Sequence, residues 1–110
     1  MDILVQSDGL DLTEDLKGAV EEKIGRIVQY APRAVRARVR LRKVSAHASP
    51  SQYVVRVLVE LPGSDVSAEQ IGPEPLQALD VVAEKIERRL RKRKTARLAR
   101  RHIRNPRVRG

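Results

Sequence analysis

The hydrophobic positions change their spacing along the chain, and each change marks a predicted element. The segment 2–6, which is apolar at 3–5, predicts a short strand, which the turn residues at 7–9 bring to an end. Apolar residues then recur at helical spacing between 16 and 28, behind Thr13, a favourable helix N-cap. Pro32 predicts that this helix ends near Tyr30 or Ala31, because the residue before a proline disfavours helical backbone.

The middle of the chain alternates with the period of a β-strand. A strand is predicted at 35–44, in which apolar residues at every second position from 35 to 41 form one buried face: Val35, Ala37, Val39 and Leu41. The loop 45–51 leads to a similar strand at about 52–61, whose core-facing residues are Tyr53, Val55, Val57, Val59 and Leu61. A turn at Pro62 and Gly63 precedes a weaker, more polar strand at 64–71.

A second helix is predicted to open within 72–75, where proline is tolerated in the first turn. Its apolar face comprises Leu76, Leu79, Val82, Ala83, Ile86 and Leu90. Beyond Leu90 the basic residues continue without that face, so the helix either runs on or frays towards Pro106. The order β-α-β-β-β-α predicts an α+β fold with two helices packed on one face of a four-stranded sheet. We expect this domain to span 1–94, and 95–110 to form a basic, partly disordered extension.

The charge of the chain is segregated into blocks. The 110 residues carry a formal net charge of +9, but residues 1–22 and 60–87 are each net −6. Residues 23–59 are net +9, and residues 88–110 contain twelve bases and no acid. Two concentrated cationic blocks indicate a polyanionic partner. Because the chain has two tyrosines and neither Phe nor Trp, base stacking is disfavoured, and recognition of a folded RNA by its phosphates and shape is favoured.

The same composition argues against other classes of function. The chain has no cysteine, which excludes disulfides, thiolate metal sites and a cysteine nucleophile. His47 and His102 lack an obvious acidic companion, and the acids at 8–15 suit helix capping better than a calcium loop. No apolar run approaches the roughly 18 residues that a membrane span requires. We therefore expect a cytoplasmic protein that is not an enzyme and has no cofactor, metal, small-molecule substrate or membrane partner.

The first candidate RNA-binding group is the arginine row of the second strand: Arg36, Arg38, Arg40 and Arg42. Residues two apart on a strand are roughly 6.7 Å apart, comparable with the phosphate spacing of a nucleic-acid strand. The row would then bind along an RNA backbone. A solvated outer face, neutralised by acids such as Glu60, explains the same pattern equally well.

The second candidate group is the basic end of the second helix. It comprises Arg88, Arg89, Arg91, Lys92, Arg93, Lys94, Arg97, Arg100 and Arg101. Like charges at i and i+4 oppose helix formation by tenths of a kcal/mol each, so such a run is costly without a polyanion nearby. A basic membrane-surface helix is the competing interpretation, but the segment has no Trp or Phe anchor. Nucleic-acid binding is favoured.

Two segments resemble a known family, the ribosome hibernation-promoting factors and ribosome-associated translation inhibitors, also called sigma-54 modulation proteins. Residues 10–30, LDLTEDLKGAVEEKIGRIVQY, are similar to its opening helix, and residues 76–94, LQALDVVAEKIERRLRKRK, are similar to its closing helix. Together with the order of elements, the likeness covers about residues 2–94. One departure is Glu74-Pro75-Leu76, where the family has Asp-Met-Tyr.

The resemblance implies a fold like a double-stranded-RNA-binding domain with an added N-terminal strand. It implies a partner, the small ribosomal subunit with its 16S rRNA, and a position that overlaps the mRNA channel and tRNA sites. Translation would be inhibited there in starved or stationary cells, by a protein that we expect to be a monomer. The implied rRNA-binding residues are Lys23, Arg26, Lys85, Arg88, Arg89, Lys92 and Lys94. A regulator of the transcription machinery and a general binder of structured RNA are the alternatives.

Overall fold

The computed structural model describes residues 2–44 and 52–104, with side chains as far as Arg93. The elements are β1 (Asp2–Asp8), α1 (Glu14–Ile27), a 3-10 turn (Val28–Tyr30), β2 (Arg36–Val44), β3 (Gln52–Glu60), β4 (Val66–Gly72) and α2 (Pro75–Arg104). The predicted order and α+β class are confirmed. The predicted loop 45–51, the segment 105–110 and the side chain of Lys94 lie outside the described residues. Because α2 continues to Arg104, the helix runs on beyond Leu90, and the expected disorder of 95–110 stays a prediction.

The strands form one sheet in the order β1-β2-β3-β4. β1 pairs with β2 in parallel across α1, and the other two pairs are antiparallel. β1 extends two residues beyond the predicted 2–6, because its pairing with β2 continues to the register pair Asp8 and Arg42. The chain then turns at Gly9, whose φ of 80° lies in the left-handed region that glycine adopts without steric cost.

The core lies between the two helices and one face of the sheet. Its fully buried large side chains are Ile24, Leu41, Leu79, Ile86, Val20, Val39, Val55, Val57, Val59 and Val82. Two residues that were predicted to face the core are exposed: Val35 (60%) and Leu76 (41%). Val35 precedes β2, and Leu76 lies in the first turn of α2, where the smaller Ala78 is buried instead, close to Gly72. The predicted alternation is confirmed elsewhere in β2 and β3.

Helix α1 begins as its sequence predicts. The Thr13 hydroxyl accepts a hydrogen bond from the backbone N–H of Leu16 at 3.1 Å, so Thr13 is the N-cap. The two helices lie side by side and run in the same direction, since contacts between them advance from Lys23 and Asp80 to Tyr30 and Arg91. Their carboxyl ends, where the bases are concentrated, therefore lie at the same end of the domain.

Candidate nucleic-acid interface

Among the side chains of α2 that the structure describes, the basic residues fall on two sides of the helix, and the first side faces the sheet. Lys85, Arg89 and Arg93 are four residues apart and therefore share one face. Lys85 Nζ donates to Gln70 Oε1 at 2.9 Å, and Arg89 donates to the carbonyl of Ser67. We call these three residues the inner row.

Arg93 makes the most extensive contact of the inner row. Its guanidinium donates to the carbonyl of Ser64 at 2.6 Å and to that of Pro62 at 3.1 Å, both in the turn between β3 and β4. β4 is an edge strand, and the inner row donates to one of its carbonyls, to one of its side chains and to the turn before it. The inner row therefore fixes the position of α2 against the sheet.

The second side of α2 faces solvent and carries Arg88, Arg91 and Lys92, which we call the outer row. The side chains of Arg88 and Arg91 are 71% and 62% exposed. Arg88 pairs with Glu84 at 3.3 Å, and Arg91 pairs with Glu87 at 3.6 Å. Exposed pairs of this kind contribute only tenths of a kcal/mol, so a phosphate group can replace the carboxylate at little cost.

Two further contacts define the outer row. The Arg91 guanidinium lies over the ring of Tyr30, 5.5 Å from its centroid, a cation–π distance that orients the arginine. Lys92 is exposed and has no ion-pair partner within the described part of the chain. Sequence reasoning did not foresee the contact with Tyr30, because only the packing of the turn after α1 against α2 brings the two residues together.

The predicted basic residues of α1 lie on the same side of the sheet as those of α2. We call the layer that the two helices form on this face the helical layer. Lys23 Nζ is 2.5 Å from Asp80 Oδ1 and joins α1 to α2, and Arg26 pairs with Glu22 at 2.7 Å along its own helix. Both pairs are at least partly exposed to solvent. The structure thus brings Lys23, Arg26 and the outer row together in one layer, with carboxylates beside most of the cations.

The arginine row of β2 lies on the opposite side of the domain, on the sheet face that the helices leave open. Glu60 contacts Arg36 at 3.8 Å and Arg38 at 3.1 Å. Asp8 accepts two hydrogen bonds from Arg40, at 2.9 and 2.7 Å. The interpretation in which acids such as Glu60 neutralise this face therefore describes the first three arginines. Arg42 is exposed and has no such partner among residues 2–44 and 52–93.

A family model described as Sigma 54 modulation protein / S30EA ribosomal protein matches residues 3–98. The chain belongs to this family. The match covers β1 from its second residue, α1, β2, β3 and β4 in full, and α2 as far as residue 98, and it confirms the membership that the two helical motifs predicted. In this S30EA family member, the inner and outer rows thus lie within the part of the chain that matches the family.

Two curated relatives of this S30EA protein bear the name ribosome hibernation promotion factor. The one from Deinococcus radiodurans is 31% identical over 86 residues, which are 78% of this chain and 45% of the relative. The one from Staphylococcus aureus is 30% identical over 94 residues, 83% of this chain and 47% of the relative. The chain thus spans about half the length of these relatives.

Solved structures share the fold of the S30EA protein. A ribosomal subunit interface protein from Coxiella burnetii superposes with a TM-score of 0.74 at 23% identity, covering 86% of this chain and 99% of that one. The N-terminal domain of Thermus thermophilus Protein Y gives a TM-score of 0.70 at 22% identity, covering 84% of this chain and 98% of that one.

In the part of this chain that the structure describes, no helix is long and apolar enough to cross a membrane. No group of three His, Asp or Glu side chains there could hold a metal ion.

Proposed function

We propose that this domain binds the small ribosomal subunit through its 16S rRNA, at the decoding region, and inhibits translation under starvation or other stress. Membership of the S30EA family and the names of its hibernation-factor relatives support a ribosomal partner. Electrostatic contact with RNA phosphates is the chemistry that the helical layer offers. Bound where it overlaps the mRNA channel and the tRNA sites, the domain would act by occupying space, without a chemical step.

The single observation that carries the proposal is the outer row. It presents Arg88, Arg91 and Lys92 to solvent on a helix whose inner row donates hydrogen bonds to the sheet and to the turn before β4. Beyond Glu87 the sequence contains no further acid, and α2 continues to Arg104 with bases along it. An exposed cationic helix that is already packed on the sheet offers phosphates pre-positioned partners, which reduces the entropy lost on binding.

Binding to RNA would exchange intramolecular carboxylates for phosphates. Glu84, Glu87 and Asp80 now neutralise three of the cations, at distances of 2.5–3.6 Å. A polyanion places several phosphates along the helical layer at once, so it competes successfully with single carboxylates. Because each exchange releases counterions from the RNA, affinity depends steeply on salt.

The test is sedimentation of the protein with purified small subunits over a series of salt concentrations. If Lys23, Arg26 and the outer row each contact one phosphate, log Kobs falls against log salt with a slope of about −3.5 to −4.5. Bases beyond Lys94 would make the slope steeper. The bound protein is also expected to displace mRNA and tRNA from the subunit.

A matched pair of variants tests the residues. Lys92→Gln is expected to weaken subunit binding several-fold and to reduce the slope by about 0.7–0.9. Lys17→Gln, an equal charge change at an exposed position in the first half of α1, is expected to leave both unchanged. Absence of binding at low salt would overturn the proposal. Equal affinity for any RNA duplex would favour a general RNA binder, and a nuclease-resistant complex with transcription proteins would favour a transcription regulator.

A further inference from the structure

The open face of the sheet carries a concentration of positive charge at one place. Arg40 on β2 lies directly opposite Arg56 on β3 in the antiparallel register. The Cβ atoms of opposite residues are about 5 Å apart, and like charges in this arrangement are destabilising. Arg42, two residues further along β2, lies diagonal to Arg56 on the same face, with Cβ atoms roughly 7 Å apart. Three arginines thus lie close together on one face of two adjacent strands.

The local acids compensate this charge only in part. Asp8 pairs with Arg40, because the Oδ2 atom of Asp8 accepts two hydrogen bonds from that arginine. Glu69 lies opposite Arg56 across β3 and β4, but no ion pair joins them. Within residues 2–44 and 52–93, neither Arg42 nor Arg56 has an ion-pair partner, and both are exposed. The arrangement differs from that of Arg36 and Arg38, which share Glu60.

The same residues surround a depression in the surface. A groove of about 140 Å³ is lined by Arg40, Arg42, Val54, Arg56 and Glu69. Three of the five lining residues are arginines, whose planar N–H forks suit the oxygens of a tetrahedral anion, while Val54 is apolar and Glu69 is acidic. Arg40 donates two hydrogen bonds to Asp8, which orient its guanidinium.

We infer that Arg40, Arg42 and Arg56 form a phosphate-binding site on the sheet face, separate from the helical layer. A bound phosphate would offset the repulsion between Arg40 and Arg56 and supply the partner that Arg42 and Arg56 lack. The assignment of this phosphate to an RNA backbone rests on the proposed function, whereas the site itself does not. If RNA supplies it, the domain has RNA contacts on both of its faces.

The site is tested by following the arginine Nε–Hε signals of the intact chain by NMR during titration with inorganic phosphate. Saturable shifts of Arg42 and Arg56 are expected, with chloride at equal ionic strength as the reference. Arg56→Gln is expected to abolish saturation, and Glu69→Gln to tighten binding about two- to threefold. Arg38→Gln, on the same strand and face but paired with Glu60, is the matched control and should change nothing. Shifts that are linear, or identical in chloride, would overturn the site.

A second arm identifies the source of the phosphate. A short single-stranded RNA that displaces inorganic phosphate from Arg42 and Arg56 assigns the site to an RNA backbone. Lack of displacement assigns it to free phosphate, and preferential displacement by an acidic peptide would overturn the phosphate assignment. With small subunits, Arg56→Gln should reduce affinity and flatten the salt slope, while Arg38→Gln does not. Saturable phosphate binding by a chain that fails to bind subunits would sink the proposed function and leave the site standing.

Discussion

Arg93 provides the sharpest test of whether a basic side chain of α2 stabilises the fold or binds RNA. Replacing it with Met keeps a long aliphatic side chain but removes the donors to the carbonyls of Ser64 and Pro62. A hydrogen bond from a charged group is worth roughly 1.5–3 kcal/mol net. Because Arg93 is only partly buried and both carbonyls can regain water, we take the lower end, about 1.5 kcal/mol for the pair.

The assay is thermal unfolding of the intact chain, followed by circular dichroism. For a domain of this size, 1 kcal/mol corresponds to about 4–8 °C in Tm, so Arg93→Met is expected to lower Tm by about 6–12 °C. The matched control is Lys92→Met, the same change of charge one residue earlier at a position without a partner in the described structure. That control should change the free energy of unfolding by less than about 0.5 kcal/mol.

In the subunit-binding assay, the two variants are expected to rank in the opposite order from their order in stability. Lys92→Met is expected to weaken binding, whereas Arg93→Met should bind almost normally at temperatures well below its Tm. Arg93→Lys keeps the charge but loses the planar fork, so it should recover only part of the stability. If Arg93→Met and Lys92→Met melt within a degree or two of each other, the assignment of the inner row to structure is wrong.

Substitutions at three further positions test how the backbone conformation is stabilised. Gly18→Ala should raise the free energy of unfolding by about 1 kcal/mol, since it lies inside α1 and an added Cβ meets nothing within 4 Å; denaturant titration measures this. Gly9→Ala should lower it by about 1–2 kcal/mol, because φ is +80° and the new Cβ would lie 3.3 Å from Lys43 Cβ. Thr13→Ala should cost about 1 kcal/mol through loss of the N-cap, and Thr13→Ser should restore most of it; an unchanged midpoint would contradict the cap.

The fold was largely predictable because its signals are local and repeated. Alternation in β2 and β3 and the apolar stripes of both helices specify one buried face each, and these faces can be covered only by packing together. The errors lie at the ends of elements. Val35 and Leu76 continue the apolar pattern, but no packed element covers them and both are exposed to solvent. The spacing of apolar residues along one element does not show where the element packed against it ends.

The positive charge of the candidate site was predictable from the sequence, but the contacts of its individual side chains were not. The sequence places bases on β2 and at the end of α2, and it shows that acids are absent after Glu87. It contains no sign that Arg89 and Arg93 are engaged by carbonyls of β4 and the preceding turn. Those acceptors lie more than twenty residues away along the chain, so only tertiary packing brings them within reach.

The sequence by itself thus determined the elements, the core and the presence of two cationic surfaces, because hydrophobic period and charge are properties of neighbouring residues. The tertiary structure decided which basic side chains are available to bind RNA phosphates. The pairing register set Glu60 beside Arg36 and Arg38 and set Arg56 opposite Arg40. The docking of α2 divided its bases between sheet and solvent. Guanidinium groups engaged by backbone carbonyls, as in Arg93, hold the fold together, whereas exposed guanidinium groups beside carboxylates can exchange them for phosphates. Which of these two acceptors lies near a given arginine is decided by the distances between remote segments, which the fold fixes.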